Sequence, residues 1–241
     1  SIRLVCADKG VVGNFRVRDL LPIASRDGNM ATRTKIKENN KSIWTDPAKA
    51  YFSARLSNER IQNLTSAMDL RSELNRKLRL CDPYAGVGPG IIPLILEHDL
   101  ISHCYAGDLN PDAFELLELN LHDLISKNKL TEIDLVLKNQ DARKWKNKQE
   151  NINKIDFLLV NLPHDSINHL PELLPLLAKG SITKIRGWAI IERSELKNSE
   201  NQIKNILNTS NADVKSIHCS EVKGFSSSKI FMRFETKQII P

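Results

Sequence analysis

Apolar and polar positions change rhythm along this chain. From about Leu78 onward, short apolar runs alternate with stretches of helical spacing. Leu78, Leu80 and Cys81 predict a strand that ends in the turn Asp82-Pro83-Tyr84-Ala85-Gly86-Val87-Gly88-Pro89-Gly90. A helix-like run, Ile91 to Leu96, follows; Pro93 is tolerated there because it falls in the first turn. Cys104 to Gly107 predicts a second strand ending at Asp108. Asn110-Pro111 then opens a helix with Ala113, Leu116, Leu117, Asn120 and Leu121 at helical spacing. Later strands are expected at Ile133–Leu137, Ile155–Val160, Trp188–Ile191, Val214–Val222 and Lys229–Glu235. A leucine-rich helix is expected from His169 to Ala178, and another near Gln202–Leu207. Gly224-Phe225-Ser226-Ser227-Ser228 joins the last two strands in a hairpin-like turn, which makes them antiparallel.

Repeated strand-helix units imply a mostly parallel sheet covered on both faces, with right-handed crossovers and one antiparallel strand near the C-terminus. Residues 1–65 read differently. Gly10, Gly13 and Gly28 punctuate them, basic residues are frequent, and Val11, Phe15 and Val17 suit a small sheet. The expected organisation is a small basic α+β domain over 1–65 and a larger α/β domain over 66–241. A helix of about Leu64–Asn75 would join them. No internal repeat is visible.

Composition is that of an ordinary globular chain: 41% hydrophobic and 27% charged over 241 residues. No apolar run approaches the roughly 20 residues that cross a bilayer, and SIRLVCADKG lacks the apolar stretch of a secretory signal. A soluble, cytoplasmic, monomeric protein with no membrane partner is expected. Cys6, Cys81, Cys104 and Cys219 are widely spread, without a metal-ligand spacing, so small apolar core roles and no metal site are expected. The net charge of +6 is uneven. Residues 1–80 hold 16 basic against 8 acidic side chains, and the remainder 19 against 21. A basic N-terminal third suits a polyanion, or is a solvated face without a partner.

Ligands of open parallel sheets collect at the carboxyl ends of the strands. Asp82–Gly90, Asp108, Asp141 and Asn161-Leu162-Pro163 all fall there. Gly86, Gly88 and Gly90 let the backbone turn tightly and approach a ligand. Asp108, twenty residues after Gly88, can accept from two ribose hydroxyls, or cap the following helix. Asp141 can accept from an exocyclic amine, or be a turn residue. Asn161, rigid ahead of Leu162-Pro163, can both donate to and accept from a base edge, or mark a plain turn. Trp145 and Trp188 can stack on a base or fill the core.

These segments, in this order, resemble the archaeal and eukaryotic type of tRNA (guanine-37-N1) methyltransferases, with the related wyosine-pathway transferases. The likeness runs from about Gly13 to Glu235. It rests on Gly13-Asn14-Phe15-Arg16-Val17-Arg18, on Ala50-Tyr51-Phe52-Ser53-Ala54-Arg55-Leu56-Ser57-Asn58-Glu59-Arg60, on Asp82 to Pro89, on Asp108-Leu109-Asn110-Pro111 and on Asn161-Leu162-Pro163. The resemblance implies a class I, Rossmann-like methyltransferase sheet behind a small RNA-facing domain, with S-adenosylmethionine as cofactor and tRNA as partner. It implies that Tyr84, Ala85, Gly86, Val87, Gly88, Asp108, Leu109, Asn110, Asp141, Ala142 and Asn161 hold the cofactor, and that Arg55, Arg60 and Pro163 meet the substrate. By position, Glu59 matches the general base, its proton affinity raised by burial. Arg16 matches an arginine that stabilises charge on guanine O6, and Asn161 the asparagine that positions the base. The target base would leave its stack to enter. Lys35, Lys37, Lys41, Arg55 and Arg60 would meet phosphates.

Two positions depart from the pattern: Gly90 stands where the family usually has Phe, and Ala54 where it often has Pro. The rival readings are a wyosine-pathway enzyme on the same nucleotide, through carbon methylation or aminocarboxypropyl transfer, a nicotinamide-dependent oxidoreductase, and a non-catalytic RNA-binding module.

Overall fold

The computed structural model describes residues 2–241. Its sheet contains the interior strand β5 (Leu78–Asp82), buried along nearly its whole length. β6 (Ile101–Gly107) and then β7 (Asp134–Lys138) lie parallel to it on one side. β8 (Phe157–Val160) and β9 (Ile182–Glu192) continue in parallel on the other. β11 (Lys229–Ile239) runs antiparallel beside β9, and β10 (Asp213–Gly224) forms the edge. The order across the seven-stranded sheet is therefore β10-β11-β9-β8-β5-β6-β7. One strand, β11, opposes the other six, as expected.

Period-two alternation splits the core into two layers. Leu80, Cys104, Phe157 and Leu159 face one apolar cluster, with Ala67 and Leu70 of α1 (Ser57–Leu74), Ile92 and Leu94 of α2 (Ile92–Leu96), and Leu116, Leu117 and Leu121 of α3 (Pro111–Asn128). Cys81, Leu158, Val160, Ile185 and Phe234 face the other. There they meet Ile167 and Leu170 of α4 (Ser166–Leu173) and Ile203 and Leu207 of α5 (Leu196–Thr209). Cys81 and Cys104 are core residues as expected, whereas Cys6 and Cys219 are half-buried. None of the helices described is long and apolar enough to cross a membrane.

Several boundaries differ from expectation. The leucine-rich helix starts earlier, at Ser166, and stops at Leu173, giving way to a 3-10 turn over Leu174–Leu176. Pro175 cannot donate a backbone hydrogen bond, and its ring crowds the preceding turn. β9 begins six residues before Trp188, because β11 pairs with it from Ile182 to Glu192. α1 begins at Ser57, seven residues before the expected start, and ends on the left-handed Asn75. The boundary expected at 65/66 falls inside this helix.

The N-terminal segment holds two separate hairpins where one small sheet was expected. β1 (Leu4–Val12) pairs with β2 (Val17–Ser25), and β3 (Thr34–Glu38) with β4 (Lys41–Thr45). Val11 and Val17 lie in the first pair, and Phe15 in its turn. Asn120 on α3 fixes the second pair: its Oδ1 accepts from Trp44 N–H at 2.8 Å, and its Nδ2 donates to the carbonyls of Trp44 and Val87. That carboxamide ties hairpin, helix and glycine turn into one body.

Candidate functional site

The glycine turn after β5 has Gly86 at φ 57° and Gly88 at φ 91°, conformations that glycine adopts without the side-chain penalty other residues carry. The turn is stitched to the tip of β6. Gly86 N–H donates to Asp108 Oδ2 at 2.8 Å, and Asn110 N–H donates to Asp108 Oδ1 at 2.9 Å. The cap of α3 is Asn110, whose Oδ1 accepts from Asp112 N–H. Asp108 thus does not cap the helix. Each of its oxygens takes one backbone N–H and keeps a further lone pair. Burial pushes its pKa up, against the pull of the backbone N–H groups. Ala85 and Val87 turn their side chains into the core, so the turn presents backbone. Lys49 O accepts from Asn110 Nδ2 at 2.7 Å. A Cβ at Gly86 would lie 3.8 Å from Tyr51 O, so residues 49–51 run along the same turn.

Asp82 and Asn161, at the tips of adjacent strands, form a second pair. Asn161 Nδ2 donates to Asp82 Oδ2 at 2.8 Å, and Tyr84 N–H donates to Asp82 Oδ1 at 3.1 Å. Asp82 is fully buried, and desolvation raises its pKa to about 7 despite both donors. Gly90 sits against this pair: a Cβ there would lie 3.5 Å from Asn161 Nδ2 and 3.6 Å from Asp82 Oδ2. Tyr84 directs its hydroxyl at His169 Nδ1, 2.7 Å away, and His169 Nε2 lies 3.2 Å from Asp165 Oδ2. The tyrosine side chain therefore clasps α4. Any ligand contact from Tyr84 falls to its backbone and ring.

Asp141 caps the 3-10 turn that begins at Ala142 and forms a two-point ion pair with Arg143. That pair holds its pKa below the usual carboxylate range. The turn reading of Asp141 thus describes its present bonding. Ala142 is buried. Asn139 reaches over to donate to Asp108 O at 2.8 Å, and Leu109 is exposed beside it.

Glu59 is only 6% exposed. The solvated pairing with Arg55 or Arg60 that its spacing allows does not occur. Instead Glu59 Oε2 accepts from Trp188 Nε1 at 3.2 Å, with Arg233 Nη1 at 3.3 Å and Arg186 Nη2 at 3.7 Å. This carboxylate heads a polar seam. Along one face of α1 run Glu59, Asn63 and Ser66; opposite them on β9 run Trp188, Arg186 and Lys184. Arg186 also pairs with Glu235 of β11. In the parallel register Val160 pairs with Gly187, so Trp188 comes alongside Asn161. The indole hangs Glu59 one strand away from the Asp82–Asn161 pair.

Arg16 lies in the β1–β2 turn, at φ 54° and exposed. Its charge is close enough to His164, three residues after Asn161, to help lower that imidazole's pKa after burial, the larger cause. Pro163 O accepts from Ile190 N–H at 2.7 Å, which fixes the corner against β9. Arg55 is exposed, as are Lys35, Lys37 and Lys41. Arg60 is not available to a phosphate: it is buried, 2.5 Å from Glu38, and donates to Ser53 O. Its hydrophilic label misled because a fully paired arginine can sit in a helix-hairpin seam. Trp145 and Trp188 are both buried; Trp188 stacks on Phe231 while its N–H serves Glu59. A hollow of about 190 Å³ between β3, β4, α1 and α2 touches this region only at Pro89.

Asp82, Arg186 and Arg233 join the site without an individual mark in the sequence. The alternation of Lys184, Arg186 and Trp188 with apolar neighbours was the available signal for a strand with one polar face.

Residues 34–215 match the family model described as the TRM5/TYW2 methyltransferase domain. The chain belongs to that family. It is 31% identical over 172 residues to Trm5b of Methanocaldococcus jannaschii, named a tRNA (guanine(37)-N(1))-methyltransferase; the match covers 71% of this chain and 44% of the relative. The chain thus spans less than half the length of that relative. The structure of aTrm5 with tRNALeu superposes at a TM-score of 0.70 and 27% identity, covering 98% of this chain and 61% of the other. Methanocaldococcus jannaschii Trm5 in complex with adenosine does so at 0.67 and 26%, covering 93% and 60%.

Proposed function

We propose that this chain transfers a methyl group from S-adenosylmethionine to N1 of the guanosine just 3′ of the anticodon in tRNA. One observation carries the reading: the Gly86–Asp108 and Asp82–Asn161 pairs share the strand ends, with Glu59 suspended beside them from Trp188. Relatives named for this reaction, and a family member crystallised with adenosine, support it.

The residues fit an adenosyl cofactor. Gly86 and Gly88 present backbone without a side chain, and Asp108 keeps a lone pair on each oxygen for ribose hydroxyls. Asp108, the glycine turn, Leu109, Ala142 and Asn161 would hold it. When bound, S-adenosylmethionine supplies an electrophilic methyl.

Guanine N1 carries a proton at neutral pH, so that proton must leave as the N1–carbon bond forms. Glu59 is the acceptor in this reading; Trp188 fixes one of its oxygens. Arg233 Nη1 spans both oxygens, at 3.4 Å from Oε1 and 3.3 Å from Oε2, and Arg186 Nη2 lies 3.7 Å from Oε2, so an incoming base would share Oε1 with Arg233. Asn161 spends Nδ2 on Asp82, which fixes its plane and leaves Oδ1 to accept from the base. Arg16, on the hairpin turn, balances charge that develops on O6. The two N-terminal hairpins form the RNA-facing part, with Arg55 and the hairpin lysines meeting phosphates.

Nucleoside mass spectrometry of unmodified tRNA, after incubation with the protein and cofactor, tests the proposal. A single added methyl on the guanosine at position 37 is expected. An aminocarboxypropyl adduct, or methylation only of tRNA that already carries a tricyclic guanine derivative, supplied in a parallel incubation, would replace it with a wyosine-pathway activity. Thermal stabilisation by NADH but not by S-adenosylhomocysteine would end it.

A further inference from the structure

The turn between β10 and β11 carries a feature that methyl transfer itself does not use. Phe225 is 49% exposed, yet the turn that presents it is well bonded. Phe225 N–H and Ser226 N–H both donate to Lys229 O, and Lys229 N–H donates to Ser226 Oγ. Arg193 N–H donates to Ser228 O, which ties the turn to the end of β9. The Phe225 ring meets His164 edge-on, with centroids 6.0 Å apart and planes at 82°. His164 directly follows Pro163, so the ring stands at the rim of the Asn161 corner. Two cations share that rim: Arg16 and Lys229 both act on His164.

We propose that Phe225, backed by His164, is a stacking platform for an unpaired nucleobase next to the target guanosine. The proposal rests on the RNA reading above and adds a contact to it. A base presents a flat π-face and an attached phosphate. The ring meets His164, on which the charges of Arg16 and Lys229 both bear, so a π-face and positive charge lie at the same corner and offer the complement of both. The neighbours of Phe225 in the turn are Gly224, Ser226, Ser227 and Ser228, so the turn itself adds no second apolar side chain to the ring. Glu192, the acidic residue nearest Lys229, lies 3.8 Å from its ammonium, and Asp165 is occupied by His169 and Asn168. A ring held by its own turn needs little ordering on binding.

The test uses unmodified tRNA and the same RNA with 2-aminopurine on either side of guanosine 37. Phe225→Ala and Phe225→Leu should raise KM for tRNA by roughly 5- to 150-fold, while Phe225→Trp stays near wild type. Leu keeps apolar bulk without a π-face, so it separates stacking from simple burial. The wild type should change the 2-aminopurine emission on binding, and the Ala and Leu variants should lose that change. S-adenosylhomocysteine should stabilise all four proteins equally. Wild-type KM and emission in Phe225→Ala would overturn the platform. A wild type that methylates no tRNA would defeat the function proposed above instead, and the emission change would still report on the platform.

Discussion

Glu59→Gln isolates the general-base role from the structural one. The substitution keeps shape, and one side-chain oxygen can still accept from Trp188. It removes the negative charge that faces Arg186 and Arg233. Arg186 keeps Glu235, Asn63 and Gln62, and Arg233 keeps Gln62 and Ser220. The stability cost therefore falls below the roughly 3–5 kcal/mol of orphaning a buried charge outright. About 2 kcal/mol is expected, a Tm drop of about 4–8 °C at this chain length. The kinetic effect should be larger. A positioned base is worth roughly 10²- to 10⁴-fold, or about 3–5 kcal/mol of barrier. Single-turnover methylation of tRNA at 20 °C, with folding followed by circular dichroism, separates the two effects. Trp188→Phe removes the indole N–H together with the pyrrole part of a buried ring, and should show a smaller fall in rate with some loss of stability. A folded Glu59→Gln protein that methylates at the wild-type rate would refute the base assignment, whatever its Tm.

Other consequences follow from the same geometry. Burial lifts Asp82 from its ordinary 3.8 to about 7. Between pH 4 and 7 the folded state holds a proton that the unfolded chain has lost, so stability falls as pH rises through that window and levels off above it. Asp82→Asn has no charge to desolvate, and urea denaturation at pH 5 and pH 8 should show it losing less stability than wild type, whereas parallel losses would contradict the cause. Arg60→Ala leaves Glu38 buried without its partner and should cost about 3–5 kcal/mol; chemical denaturation measures it. Exposed Arg55→Ala should leave Tm unchanged but lower the salt dependence of tRNA binding by about one unit of slope.

The sheet and the strand-end turns were legible because their signals are local. The apolar run before Asp82, the glycine spacing and the Asn110-Pro111 helix start each depend on neighbours within a few residues. The polar seam was not. The alternation of Lys184 and Arg186 hints at a strand, but what their charges meet depends on Ser66 and Asn63 of α1, more than a hundred residues away. For the same reason β9 was foreseen only from Trp188 onward. Arg60 was misplaced because its partner, Glu38, lies on a hairpin that no spacing connects to α1. Asp141 illustrates a third case: two roles fit its position equally, and Arg143, two residues on, decides its present bonding.

The glycine turn and Asp108 act together as one adenosyl site, and every proposed role is placed around it. Calorimetric titration of S-adenosylhomocysteine into the wild type and Asp108→Ala measures that directly. The wild type should bind, and the variant should lose tenfold or more, about the worth of one or two hydrogen bonds to a carboxylate. Equal affinity in the two proteins would contradict the account.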